Sequence, residues 1–261
     1  MQGFIGNSET TKGRLRGMLT VAVLLVAWEG LSRTGLIAPD KLPPPRQIVK
    51  TFIELTTSGL LVKSLASSMV RIAEGFAVGT VLGFVLGAFM GVSKTIERLF
   101  SPLINALRQV PVIGWIPLVI LWCGVSDLSK VAFIAIGSFF PMAVCTFQGI
   151  RGVPGKFIEV VRVFEFSKLR LLARVVVPGA LPDIVTGIRL SLGTSWMLVV
   201  WSEINTRSGL GIGEMLWSAR MGAKLDVVLI CIIVIGLVAY LINEVLGHVE
   251  ARLLVWKKSY R

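Results

Sequence analysis

Residues 152–182 read GVPGKFIEVVRVFEFSKLRLLARVVVPGALP, and this stretch decides what kind of chain this is. It is too charged to cross a bilayer, which takes about 20 mostly apolar residues, and too apolar for a plain solvated loop. Pro154 suits a helix start, and Phe157, Val160, Val161 and Phe164 lie at helical spacing along one face. Glu159, Arg162, Glu165 and Lys168 recur at three-residue steps, so opposite charges are neighbours on the helix surface and support it by roughly 0.2–0.5 kcal/mol per pair. Pro178 and Pro182 are expected to stop the helix. Spacing alone leaves two readings open: a short helix that docks Phe157, Ile158 and Phe164 against another protein, or an interfacial helix lying on lipid headgroups.

On both sides of this stretch the chain is a membrane protein by composition. Of 261 residues 54% are hydrophobic and 16% charged, and the mean hydropathy is +0.79; disorder is excluded by the same numbers. Apolar runs separated by Gly, Pro and charge predict six spans: 18–37, 68–92, 99–123 with a break at Pro111, 130–150, 183–205 and 226–248. The first is expected to stay as an anchor, because Arg33 and a Pro-rich stretch follow it in place of a signal-peptide cleavage pattern. The 38–67 segment should hold extended polyproline at Leu42–Pro45 and an amphipathic stretch from Gln47 to Leu61. These spans define a transmembrane domain, 18–250, with the loop 151–182 inside it and tails at 1–17 and 251–261.

Net charge is +12. In so apolar a chain that excess belongs to membrane flanks rather than to a nucleic-acid surface. With both termini inside, 16 Lys and Arg fall on the cytoplasmic side, Lys94, Arg98, Arg108 and Arg151 among them. The opposite side carries 10, including Arg71, Lys130 and Arg207, and Arg189 lies within the fifth span. In the second span Gly75, Gly79, Gly83, Gly87 and Gly91 recur every four residues. Each would cost a water-exposed helix about 1 kcal/mol relative to Ala, so the ridge is expected to let another helix approach closely.

Few residues offer chemistry. No phosphate loop is present; Gly155-Lys156-Phe157 lacks the hydroxyl and the preceding glycine pattern. The single histidine, His248, excludes His-based metal clusters and Ser-His-Asp triads. Cys123, Cys145 and Cys231 read as packed thiols. Glu29 and Glu203 lie inside apolar spans, where carboxylates are costly. Glu29 is expected to pair with an Arg such as Arg33; for Glu203, a pair with Arg207 and a gate or binding-protein contact both stand. Most tryptophans belong to the aromatic belt, with Trp115 and Trp196 as exceptions.

The loop resembles that of ABC importer permeases, whose pattern is Glu-Ala-Ala, three residues, Gly, and a stretch ending in Leu-Pro. Glu159 matches the acid and Pro178-Gly-Ala-Leu-Pro182 the end, while Val160 and Val161 replace the alanines and Glu165 the glycine. LPPPRQIVKTF (Leu42–Phe52), SMVRIAEGFAVG (Ser68–Gly79), VPVIGWIPLVILWCGVSDLSK (Val110–Lys130) and SGLGIGEML (Ser208–Leu216) are similar to the sulfonate, taurine, nitrate and bicarbonate subfamily.

The resemblance implies an all-α permease of the bacterial inner membrane with the type I importer fold. It also implies a homodimer, two ATPase subunits docked on the loop as a coupling helix, and an extracytoplasmic binding protein that delivers substrate. It makes Gly155, Phe157, Glu159, Arg162, Glu165, Pro178 and Pro182 the coupling residues. Gln109, Trp115, Thr194, Ser195, Trp196 and Glu203 are candidates for lining a path for a small anion, with simple packing as their other reading. An organosulfonate leads as substrate, ahead of nitrate, bicarbonate and aromatic carboxylates; Arg207, Arg220 and Lys224 near Glu214 and Asp226 give the outer mouth a slight positive excess. A channel or carrier without ATPase subunits is the reading from another class, and the inverted repeats or charge relays expected of it are not visible.

Overall fold

The computed structural model describes residues 19, 20, 23, 24, 26–32, 34, 42–156 and 167–253. Phe157, Glu159, Arg162 and Glu165, the tail 1–17, residues 254–261 and part of the first predicted span lie outside them. Among the described residues all regular structure is helical. The chain falls into two units, Met1–Val62 with Leu216–Ile233, and Lys63–Met215 with Val234–Arg261.

In the first unit residues 26–32 are helical and α1 runs Pro45–Thr57. Pro44 precedes it in an extended conformation (φ −63°, ψ 146°) and Pro45 opens it, where a missing N–H costs nothing. Thr51 and Gln47 of α1 donate to the Asp226 carboxylate at 2.7 and 3.3 Å. Gly59, at φ +74°, turns the chain after α1.

The second unit holds most of α2 (Leu60–Val92), then α3 (Lys94–Leu107), a 3₁₀ turn (Val112–Trp115), α4 (Ile116–Cys123) and α5 (Asp127–Arg151). A helical turn Lys168–Leu171 and a π segment Leu172–Val176 lead into α6 (Val177–Thr206); α7 (Ile212–Met221) and α8 (Leu225–Leu253) follow, each divided between the two units.

Here α5 packs between α2 and α6. Along α2, a Cβ on Gly75 would meet Ile134 at 2.7 Å, one on Gly83 the Phe139 carbonyl at 2.5 Å, and one on Gly91 Ile150 at 2.6 Å; Gly79 and Gly87 lie as close to Ser138 and the Ala143 carbonyl. On the other flank Gly187 of α6 faces Cys145 and Met142, and Gly149 of α5 faces Ala180 and Asp183. Met142, Ile150, Val153, Val176, Ala180 and Ile184 form the buried cluster that closes this end. Helix association in lipid lacks a hydrophobic drive, so close backbone approach of this kind supplies dispersion contact in its place. Val70, Val78, Val81, Val85 and Phe89 of α2 are exposed, the surface a bilayer or another subunit covers.

Among the described residues four helical stretches are long and apolar enough to span, Leu60–Val92, Asp127–Arg151, Leu172–Thr206 and Leu225–Arg252, and a fifth if the pair Lys94–Leu107 and Val112–Cys123 counts as one. That pair is bent by 92°. The sequence predicts a third span from 99; the helix starts at Lys94, because Ser93 accepts from the Ile96 N–H at 3.4 Å. The expectation that Pro178 and Pro182 stop a helix is overturned, since both lie within α6. In the π segment the Val177 N–H donates to the Leu172 carbonyl, and this widened turn accommodates the ring and missing N–H of Pro178. Pro182 then removes one further ladder bond, which packed membrane helices tolerate.

Candidate functional site

Three helix ends and the Gly-rich run after α6 meet in a closed set of charges. Glu203 and Lys130 are 0% exposed and Arg71 is 4%. Arg71 Nη1 donates to Glu203 Oε1 at 2.7 Å and to the Leu210 carbonyl at 2.6 Å. Its Nε and Nη2 reach Asp127 Oδ1 at 3.0 and 2.8 Å. Lys130 Nζ donates to Asp127 Oδ1 at 3.0 Å and to the Ser208 carbonyl. The Glu203 carboxylate also accepts from the Ser68 hydroxyl at 2.7 Å and the Gly213 N–H at 2.8 Å, and Ser68 Oγ accepts from the Ile212 N–H at 3.0 Å. Two cations and two carboxylates therefore balance, and both carboxylate oxygens of Glu203 are satisfied. Such an arrangement makes a buried ion cluster tolerable.

The local sequence explains the geometry. Arg207 ends α6 in the left-handed region (φ 49°), and Gly209 (φ +85°) turns the chain back. Gly211 lies so close to the Glu203 carboxylate that no Cβ would fit. The run Ser208–Gly213 is thus held against α2, α5 and α6 by its own carbonyls and N–H groups.

Sequence reasoning offered Arg207 as the partner of Glu203; the partner is Arg71. Its signal was an arginine inside the apolar run of α2, a position that calls for a buried acid. Asp127 and Lys130 gave no separate signal. Arg46 Nε lies 3.9 Å from Glu29, and Arg189 in α6 pairs with Glu250 at 3.0 Å and Asn243 at 2.7 Å.

The other path candidates divide into two groups. Gln109 is exposed at the break after α3, and Trp115 ends the 3₁₀ turn half-buried. Trp115 walls an apolar cavity of about 230 Å³ with Gly79, Leu82, Trp122, Phe139 and Phe140; its indole N–H is buried without a partner. On α6 the hydroxyls turn to their own helix, Thr194 to the Leu190 carbonyl and Ser195 to the Ser191 carbonyl, both at 2.8 Å. The buried Trp196 donates to the Ile235 carbonyl at 3.2 Å. Ser195, Trp196 and Glu203 are enclosed by packing within one chain.

Of the coupling candidates, Gly155 is exposed, with open space where a Cβ would stand. Pro178 and Pro182 lie near the start of α6. The two flanks of the loop meet at Val153, which would touch a Cβ on Gly179 at 3.1 Å. Among the described residues no group of three His, Cys, Asp or Glu is placed to hold a metal.

A bundle of apolar helices, clasped by buried charges and interrupted by a bent helix pair, defines a membrane-embedded transport component. The chain belongs to the family described as binding-protein-dependent transport system inner membrane component, which matches residues 79–255. It is 40% identical to an aliphatic sulfonates transport permease protein of Bacillus subtilis, over 95% of this chain and 90% of that one. It is 33% identical to the taurine transport system permease protein of Escherichia coli (91% and 88%) and 30% identical to the nitrate import permease protein of a Synechocystis strain (91% and 88%). The fold is that of type I ABC importer permeases. Inward-facing MetNI methionine ABC transporter matches with a TM-score of 0.65 at 18% identity, over 74% of this chain and 96% of that one. An amino acid ABC transporter matches with 0.63 at 16%, over 77% and 97%.

Proposed function

We propose that this chain is the permease subunit of an ATP-driven importer for a small anion, an organosulfonate such as taurine or an alkanesulfonate before nitrate, bicarbonate or an aromatic carboxylate. The observation that carries the substrate class is the 40% identity to the aliphatic sulfonates permease across nearly the whole chain. The nitrate permease at 30% keeps the second substrate in view. In this reading two copies enclose one path about a two-fold axis. Each docks an ATPase subunit on 151–182, an extracytoplasmic binding protein delivers the anion, and both termini are cytoplasmic. The chain is no enzyme by itself; ATP and Mg are held by the ATPase subunits.

The mechanism follows from continuity. The helical turn and π segment after the loop run into α6 without a break, so a pull on the loop moves α6 as a rod, and close packing carries α5 with it. At the far end of α6 sits the Glu203 clasp. ATPase closure can drive transport only if it favours one membrane state over the other, and the clasp is an element both states must keep or break.

The test is uptake by whole cells. A strain lacking this permease gene, complemented with it, is given labelled taurine, butanesulfonate, nitrate and bicarbonate at equal concentration. Restored uptake of a sulfonate alone is the expected result; restored nitrate or bicarbonate uptake would shift the substrate within the family, and no ATP-dependent uptake of any of the four would overturn the anion reading.

A further inference from the structure

Helix α3 carries a polar stripe for which packing gives no reason. Lys94, Arg98, Ser101, Asn105 and Arg108 recur at steps of four, three, four and three residues, so they share one face of α3 and of the turn that ends it. Away from that face Leu99 and Leu103 are 69% and 50% exposed. The stripe borders a cavity of about 590 Å³ whose walls include Lys94, Arg98 and Arg151, and another of about 170 Å³ whose walls include Arg108, Phe147 and Gln148. Ser101 and Asn105 belong to both walls, which makes the two cavities one trough between α3 and α5.

The trough is basic. Arg151 is neutralised by Glu97 at 2.6 Å. Among the described residues, Lys94, Arg98 and Arg108 have no ion pair and no side-chain hydrogen bond. Asn105 Nδ2 donates to Ser101 Oγ at 3.2 Å, which leaves the Ser101 O–H free to donate. From 94 to 108 the helix is about 21 Å long at 1.5 Å per residue, and the trough follows α5 from its end at Arg151 inward to Ala143. Cations at that depth in a spanning element face water or protein, not lipid, and the field of three uncompensated cations along low-dielectric walls concentrates anions.

We propose that this trough is a stretch of the translocation path, occupied by small oxyanions, with Lys94, Arg98 and Arg108 as successive weak sites and Ser101 and Asn105 as hydrogen-bond donors between them. Several weak sites in series pass an ion where one strong site would hold it. The proposal rests on the importer reading for the identity of the cargo. A lipid phosphate offers the same oxyanion chemistry, and the test separates the two.

The complete importer, permease with its ATPase and binding protein, is reconstituted in zwitterionic liposomes, and uptake of labelled taurine and butanesulfonate is measured at equal complex abundance. The expected result is at least a 10-fold loss of uptake in the double variant Arg98→Gln, Arg108→Gln and retention of half or more in Arg108→Lys. Unchanged uptake in the double variant overturns the proposal. So does a loss seen only when anionic lipid is added, which would make the trough a headgroup site. Independently, a Ser101→Cys variant is labelled with an anionic and a cationic methanethiosulfonate, above the background of the parent chain. Relative to the same pair on a free thiol, the rate ratio should favour the anionic reagent at least 10-fold and lose that preference in the double variant; no preference overturns the proposal. If wild-type complex carries no anion offered, the importer reading fails while the labelling ratio still decides the trough.

Discussion

Glu203 keeps its place in an apolar helix because both of its carboxylate oxygens are spoken for, by Arg71 and Ser68 on one and by the Gly213 N–H on the other. Removing one partner leaves the other charge buried and alone, which costs about 3–5 kcal/mol in a buried pair. Glu203→Ala is therefore expected to lower the melting temperature of the detergent-purified permease sharply, and Arg71→Met to do the same. Asp127, at 66% side-chain exposure, can recruit water, so Asp127→Asn should cost less than either. The combined Arg71→Met, Glu203→Ala variant should melt above both single variants, because it removes the desolvated charges together. If the double variant melts at the sum of the two single losses, the ion pair is not the unit that holds this end of the bundle.

Among the elements, α2 is the one whose glycines set how near its neighbour can come. A four-residue glycine step reads as close helix approach, and a Cβ on Gly75, Gly83 or Gly91 would stand only 2.5–2.7 Å from atoms of α5. Gly83→Val is expected to push α2 off α5, with loss of membrane-inserted protein on a quantitative blot. Gly236 of α8, which has nothing within 4 Å of a Cβ, is the control; Gly236→Ala should leave abundance unchanged, and equal losses at both sites would make the effect one of helix propensity, not packing.

The helices were legible because hydropathy needs no partner to be read. Three things were not. Pro178 and Pro182 read as stops because a proline in an isolated helix is one; a π turn before Pro178 and packed neighbours around Pro182 override them. Arg71 reads as a membrane flank until the acid that neutralises it, 132 residues away, is brought beside it. The polar stripe of α3 hides because Lys94, Arg98 and Arg108 look like ordinary cytoplasmic charges when the span is begun at 99; begun at Lys94, the same residues fall on one face.

At the scale of the whole molecule, transport needs work done at one end of the bundle to be felt at the other. The loop 151–182 joins α5 to α6, and its described flanks touch at Val153 and Gly179. A force applied there has a short route: through the π segment, along the 30 residues of α6, to Glu203 and the Ser208–Gly213 run that it pins. On the proposed reading Glu159 faces the ATPase in this loop, and reversing its charge should weaken docking without touching the membrane bundle. Glu159→Lys is therefore expected to lower uptake several-fold at normal membrane abundance and to reduce the share of ATPase subunit that co-purifies in mild detergent. Uptake equal to wild type would remove the loop from the coupling role. Loss of uptake with full ATPase recovery would instead place the defect after docking, in the transmission along α6, and the Glu203 variants would then be the ones to compare it with.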